Sequence, residues 1–356
     1  MLREHQKQGE VAMLRYYKAV KELGPKRFTS LNEIPTPIPS FFINGRAICT
    51  PGNLTNIIAQ AKGGKSAFNG AMISAAICAE LVTKRDTLGI TATAPGQKQL
   101  VHIDTEQSPF DHDQLIRRAL RRAGVTQEPS WLASYALAGL SPDKLRESLR
   151  HLMQLAEYEG GVYAVMIDGA ADMVNDVNDA AECNGFVAEL HALAIKFDCP
   201  IINTVHENPG QDLGKMRGHF GSQLERKAEA NLRLKKTEET IVVFSEKMRR
   251  APILERDGPR FKWSDEAGMH VSVESVGQSK DDAKRADLID LAAEAFDGKR
   301  SMKFTDITVA IENARRCSKR TAERKVGEMK RLNVISLQGF DLYALTADKP
   351  PTNLPS

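Results

Sequence analysis

The sequence predicts an α/β fold: a mostly parallel sheet with helices on both faces, an antiparallel extension at one edge, and a small C-terminal winged helix-turn-helix domain. Three observations carry this expectation. Between residues 41 and 275 apolar runs alternate with helical stretches, the pattern that joins parallel strands through crossover helices. The last apolar runs of that region follow one another without helices between them, which pairs neighbours antiparallel. After residue 285 the order changes to three helices followed by two short apolar segments, the layout of a winged helix.

Taken in order, residues 2–23 place Val11, Leu14, Tyr17, Val20 and Leu23 at helical spacing and stop at Gly24-Pro25. Residues 31–40 contain three prolines and read as an extended linker, so 1–40 is an N-terminal helix with a Pro-rich linker. In the core, 41–275, strands are predicted at 54–59, 99–105, 132–138, 162–168, 199–206, 229–235, 240–246 and 269–274. Helices are predicted at 65–82, 111–123, 141–158 and 179–197. A polar linker at 276–285 precedes the winged helix-like domain, 286–348, with helices at 285–296, 304–314 and 318–332, and 349–356 form a tail.

Composition narrows the class. The 356 residues suffice for a full α/β core and a second, smaller domain. No apolar run approaches ~18 residues, so no membrane span is expected, and Met1-Leu-Arg-Glu-His-Gln-Lys lacks the apolar centre of a signal peptide. Five scattered cysteines without a C-x-x-C pair read as reduced cytosolic thiols, with neither zinc site nor disulfide framework. A formal charge of +3 is too small to argue for nucleic acid by itself. Its distribution is more informative: from Arg315 to Arg331 eight Lys and Arg face two Glu. Lys319, Arg320 and Arg324, in a basic third helix, are candidates for phosphate and groove contacts. The alternative is a solvated face of a packing or protein-interaction module.

The most informative stretch is Ala59-Gln-Ala-Lys-Gly-Gly-Lys-Ser66, between an apolar run and a periodic helix. Strand, glycine-rich loop, Lys-Ser and helix form the context of a nucleotide-phosphate loop. Ala61, Lys62, Gly63, Gly64, Lys65, Ser66 and Ala67 are the expected nucleotide-binding residues, with backbone N–H groups cradling the β-phosphate at the positive helix end. Lys65 would reach the β- and γ-phosphates of ATP, and the Ser66 hydroxyl would ligate Mg²⁺. Ala59 departs from the G-x-x-x-x-G-K-[ST] pattern. That position needs a small residue more than a positive φ.

A phosphate loop hydrolyses nothing without a metal-holding carboxylate and a group that activates water. Val162-Tyr-Ala-Val-Met-Ile-Asp168 runs apolar into an Asp at a strand end, and Asp168 is the second expected Mg²⁺ residue. An ordinary turn carboxylate is the alternative. Leu100-Val-His-Ile-Asp-Thr-Glu106 would bring Glu106 to the same sheet edge as the phosphate loop. This "IDTE" resembles the segment of RecA-like ATPases that carries the catalytic glutamate, which implies that Glu106 is the general base. Gly169, following Asp168, cannot be one.

The resemblance extends over roughly residues 41–265 and is closer to the RepA/DnaB branch of hexameric helicases. It implies that His206, ending Pro200-Ile-Ile-Asn-Thr-Val-His206, senses the γ-phosphate. It implies a DNA-binding loop at 208–222, with Lys215, Arg217 and His219 near phosphates. "NLRL" around Arg233 is similar to the strand of an arginine finger, and Lys247-x-Arg249 to the Lys-x-Arg pair inserted into a neighbour's ATP site. The partners this resemblance implies are further copies of the chain in a hexameric ring, single-stranded DNA, and a primase or replication initiator. Two other expectations share this core: an ATP-switched DNA-binding regulator using the winged helix, and a filament-forming recombinase.

Overall fold

The computed structural model describes residues 2–31, 33–207, 216, 218–273, 287–332, 334–339 and 341–345. By internal contacts the chain divides into Met1–Ile38 and Pro39–Ser356. The first unit contains helix α1 (Leu2–Leu23), closed by a single 3₁₀ turn at Gly24–Lys26 that begins where proline cannot extend the helix. Its Leu14, Tyr17 and Val20 are exposed.

In the second unit, β1 (Phe41–Ile43) and β2 (Arg46–Cys49) precede β3 (Leu54–Ala59), α2 (Lys65–Glu80), β4 (Ile90–Ala92), β5 (Gln99–Asp104) and α3 (Pro109–Ala123). Then come β6 (Leu132–Ala136), α4 (Pro142–Tyr158), β7 (Val162–Asp168), α5 (Ala180–Lys196), β8 (Ile201–His206) and α6 (Gly218–Lys227). Four strands follow without helices: β9 (Ala230–Thr237), β10 (Thr240–Met248), β11 (Arg260–Ser264) and β12 (Met269–Val273). Nine strands make one sheet in the order β12-β11-β10-β9-β3-β8-β7-β5-β6. From β9 to β6 all neighbours are parallel, and β10, β11 and β12 extend the sheet antiparallel.

The layering follows from alternation along buried strands. Ile57 points into the core beneath α2 and α3, with Phe68, Met72 and Leu115, while Ile58 points into the opposite core, with Leu149 of α4, Phe186 of α5 and Phe220 of α6. Because β3, β5, β7 and β8 run the same way, their last residues Ala59, Asp104, Asp168 and His206 share one edge. Crevices outside the carboxyl ends of parallel strands are where α/β sheets bind ligands.

Three features depart from the sequence expectation. β1, β2 and β4 form a separate sheet, ordered β2-β1-β4, from runs of three or four residues too short for periodicity to register. β11 lies outside the predicted strands, its apolar pattern interrupted by Arg260 and Lys262. The expected loop at 208–222 is corrected at its end: residues from Gly218 belong to α6, which buries Phe220 and Leu224 at i, i+4 spacing.

At the C-terminus a helix at 287–296, α7, precedes β13 (Met302–Lys303), α8 (Phe304–Arg315), α9 (Lys319–Arg331), β14 (Ile335–Gly339) and β15 (Leu342–Leu345). The three short strands pair in the order β13-β15-β14. Leu291, Phe296, Ile311, Val326 and Tyr343 share a core of their own. Ser318 caps α9 by accepting from Thr321 N–H, the first-turn bond that a Ser N-cap supplies.

Candidate functional site

The loop from Gln60 to Gly64 joins β3 to α2 and turns tightly. Gly63 N–H donates to Gln60 O at 3.0 Å, and Phe68 N–H donates to Gly64 O at 3.0 Å as α2 begins. Gly64 has φ +89°, and a Cβ there would lie 2.5 Å from Ile241 Cδ1. Only glycine satisfies both the left-handed backbone and the close wall. Lys62 is also left-handed, at φ +60°. Ala59 is the fully buried last residue of β3, outside the turn that needs unusual backbone.

Lys65, in the first turn of α2, points to His206 at the end of β8, with Nζ 2.7 Å from Nδ1 and 3.0 Å from Nε2. His206 Nε2 in turn lies 3.0 Å from a Glu106 carboxylate oxygen. Three side chains, from the start of α2, the end of β8 and the turn after β5, therefore converge beside the glycine loop. The hydrogen bond with His206 holds Glu106 below the usual carboxylate range, against the opposing effect of burial. Burial lowers the Lys65 ammonium, although Glu106 and Asp168 counteract it.

Asp168 is 2% exposed. Burial, then the charges of Asp104 and Glu106, push its carboxyl up to about 7. Gly169 (φ +94°) explains how Glu106 comes so near: a Cβ at 169 would stand 2.7 Å from Glu106 Cγ and 2.2 Å from Thr105 Oγ1. The glycine that sequence reading dismissed as a base is what lets the neighbouring glutamate cross the strand end.

A cavity of about 400 Å³ opens on this edge. Ala61, Lys62, Gly63, Gly64, Lys65, Ser66 and Ala67 line it together with Glu106 and His206. Sequence reading missed its far wall: Arg118 and Arg122 of α3, and Trp263, Met269 and His270 of the β11–β12 hairpin. The available signal was Trp263, one of two tryptophans and half exposed, but its sheet position brings it near residue 64 only through pairing that spans the chain. The loop's N–H groups and Lys65 suit phosphates, and Asp168 and Glu106 bring carboxylates to the same strand-end edge. Ser66 lines the cavity and Asp168 ends β7 at the same edge, and these are the residues that would hold Mg²⁺ with a bound triphosphate. Among the described residues no group of three or more His, Cys, Asp or Glu is arranged to hold a metal alone.

The remaining predicted residues divide. Lys247 and Arg249 are exposed at the end of β10, donating to Glu225 O at 3.4 Å and, from Arg249, to Lys227 O at 3.4 Å and Asn53 Oδ1 at 3.1 Å. Since Met248 pairs with Ala230 and Ala230 with Thr55, this is the sheet edge opposite the chain's own phosphate loop. Arg233 departs from the expectation of a projecting finger. It is 4% exposed, pairs in register with Ile58 near the phosphate-loop edge, and is held by Glu207 and Glu246 of the same chain. Lys215 and Arg217 lie outside the described residues, whereas His219 is exposed in the first turn of α6. Lys319, Arg320 and Arg324 are exposed on α9, opposite the buried Ala322, Val326 and Met329.

A family model described as an AAA domain, AAA_25, matches residues 22–212. Among solved structures, one similar to the chain is the crystal structure of the RadB recombinase, at 18% identity and a TM-score of 0.44, covering 65% of this chain and 94% of that one. No curated protein sequence matches. Among the described residues no helix is long and apolar enough to cross a membrane.

Proposed function

The chain belongs to the AAA domain family, with a RecA-like P-loop ATPase core, and from that premise we propose an ATP-hydrolysing motor that works on DNA as a head-to-tail ring, a replicative helicase or translocase of the RepA/DnaB kind. The observation that carries the hydrolytic part is the convergence of Lys65, His206 and Glu106 within 3.0 Å steps beside the glycine loop. In this reading the loop and Lys65 hold the β- and γ-phosphates. Ser66 and Asp168 hold Mg²⁺, which when bound neutralises charge on the phosphate oxygens. Glu106 orients and deprotonates the attacking water, and His206 exchanges its contact with Lys65 for the γ-phosphate, reporting its presence. The nucleobase occupies the wall of Arg118, Trp263 and Met269.

Lys247 and Arg249 support the ring. They are exposed and lie at the edge away from their own loop, the placement a head-to-tail contact needs to bring cations into the neighbour's site. Single-stranded DNA is the proposed track, with His219, Lys215 and Arg217 near its phosphates. A primase or initiator is the proposed partner in replication. The basic exposed face of α9 favours a second reading, in which ATP switches the assembly of a duplex-binding regulator through a winged helix-like domain. A recombinase filament is compatible with the same core.

The test is ATP hydrolysis by the full chain with and without single-stranded DNA, alongside a strand-separation assay and electron microscopy with an ATP analogue. Stimulated hydrolysis, strand separation and closed rings support the motor. Sequence-specific duplex binding without strand separation supports the regulator, and open filaments support the recombinase. Absence of hydrolysis under every condition overturns the ATPase assignment.

A further inference from the structure

Behind Glu106 lies a buried chain of polar groups that the site described above does not use. Asp104, at the end of β5, is fully buried. Its Oδ1 accepts from the backbone N–H of Glu106 at 3.1 Å and of Gln107 at 3.0 Å, and its Oδ2 accepts from Gln107 Nε2 at 2.8 Å. The carboxylate therefore caps the turn that carries Glu106, as an Asx group does for the residues two and three ahead of it. His112 of α3 reaches the same Oδ2 through Nδ1 at 3.1 Å. Its other nitrogen, Nε2, lies 3.0 Å from Ser134 Oγ on β6. Ser134 Oγ is also 2.8 Å from His102 Nδ1, and the two imidazoles stack at 5.5 Å with 9° between their planes.

The direction of these bonds follows from one unpartnered atom. His102 Nε2 is buried without a hydrogen-bond partner among the described residues. If donors run from His102 Nδ1–H to Ser134, from Ser134 O–H to His112 Nε2, and from His112 Nδ1–H to Asp104, the atom left over is a bare lone pair. The reverse order would strand a buried N–H, which is the costlier orphan. Asp104, His112 and Ser134 have the order of a hydrolase triad, but the serine oxygen is shared with His102 and does not line the cavity. The chain's output is the carboxylate of Asp104.

We propose that His112 and Ser134 are positioning residues for hydrolysis: by fixing the Asp104 carboxylate they hold the 104–107 turn so that Glu106 meets His206 at the mouth of the cavity. This rests on the reading of Glu106 as the base. A misplacement of about 1 Å at such a group costs on the order of 100-fold in rate, and loss of an outer partner about 10- to 100-fold. The nucleotide is bound mainly by the loop and Lys65, so its affinity is independent of the network.

The experiment is steady-state ATP hydrolysis with nucleotide titration and thermal melting on the full chain. His112→Ala and Ser134→Ala are expected to lower kcat about 10-fold with KM and ADP affinity within about twofold of wild type. His112→Asn keeps a donor near the Nδ1 position, and Ser134→Thr keeps the hydroxyl. Both are expected to recover most of kcat. Unchanged kcat in folded His112→Ala overturns the proposal. So does a loss in which kcat, nucleotide affinity and melting temperature fall together, or one that Asn and Thr do not rescue, because a merely structural role would act that way. Glu106→Gln separates the two readings: if it retains full hydrolysis the base assignment itself fails.

Discussion

Arg233 and Glu207 form an ion pair within one chain, both side chains 5% exposed. Glu207 follows His206 directly and its N–H donates to Ala59 O at 3.2 Å, so the pair ties the strand that carries His206 to the root of the phosphate loop. Glu246 holds the other side of the guanidinium at 2.5 Å.

The pair makes a prediction about where Arg233 acts. Mixing Arg233→Ala subunits with Lys65→Ala subunits is expected to restore no hydrolysis, because both residues serve the same chain's site. Mixing Lys247→Ala/Arg249→Ala subunits with Lys65→Ala subunits is expected to restore roughly a quarter of wild-type activity at equal ratio, through sites that join an intact loop to intact cations across a head-to-tail contact. Recovery with Arg233→Ala and none with the Lys247/Arg249 pair would reverse the assignment. Arg233→Ala should also lower stability by about 3–5 kcal/mol, since it leaves buried carboxylate unpaired, whereas exposed Lys247 should cost under about 1 kcal/mol. Denaturant unfolding reads both.

Glu106→Gln keeps the shape of the side chain but removes its basicity. Hydrolysis is expected to fall by about 10²- to 10⁴-fold, with ATP affinity retained. Lys65→Ala should instead weaken ATP binding as well as abolish turnover, since its ammonium faces the phosphates. Fluorescent-nucleotide titration alongside phosphate release distinguishes the two patterns.

Much of this site was legible in the sequence because each piece is local. A phosphate loop is eight consecutive residues between a strand and a helix, Asp168 and His206 each end an apolar run, and Glu106 stands two residues past the end of a third. Parallel pairing then brings those ends to one edge without further information. The far wall of the cavity was not legible, because Trp263 and His270 reach it only after β10, β11 and β12 have folded back across the sheet. The surroundings of Arg233 were not legible for a related reason. A strand sequence gives the alternation of its side chains but does not reveal that Glu207 and Glu246, 26 residues before it and 13 after it, would enclose its guanidinium. The short strands β1, β2 and β4 escaped because three or four residues contain too few repeats of a period of two.

The basic face of α9 predicts an electrostatic signature. Replacing Lys319, Arg320 and Arg324 together with Glu should weaken duplex DNA binding by the full chain uniformly across sequences. The slope of log affinity against log salt should fall by about 3, one for each lost phosphate contact. An unchanged slope would remove α9 from the DNA interface, leaving its charges as a solvated face.

Asp168 predicts how pH and Mg²⁺ trade against each other. In the nucleotide-free protein its carboxyl is raised to about 7 from an ordinary value of 3.8, by burial first and by Asp104 and Glu106 next. A raised pKa means the folded state binds the proton more tightly than the unfolded chain. The associated stability is fully present below about pH 4 and is lost as pH rises through about 7, a loss on the order of a few kcal/mol. A divalent cation offsets the charge that appears over this window, so the increase in melting temperature given by Mg²⁺ with ADP should grow from pH 6 to pH 8. Asp168→Asn removes the titrating group without removing the polar contact to Asn69. It should melt higher than wild type at pH 8 without nucleotide, and its Mg²⁺-dependent gain should be small and flat with pH. A gain that is equally pH-dependent in Asp168→Asn would move the cation away from residue 168.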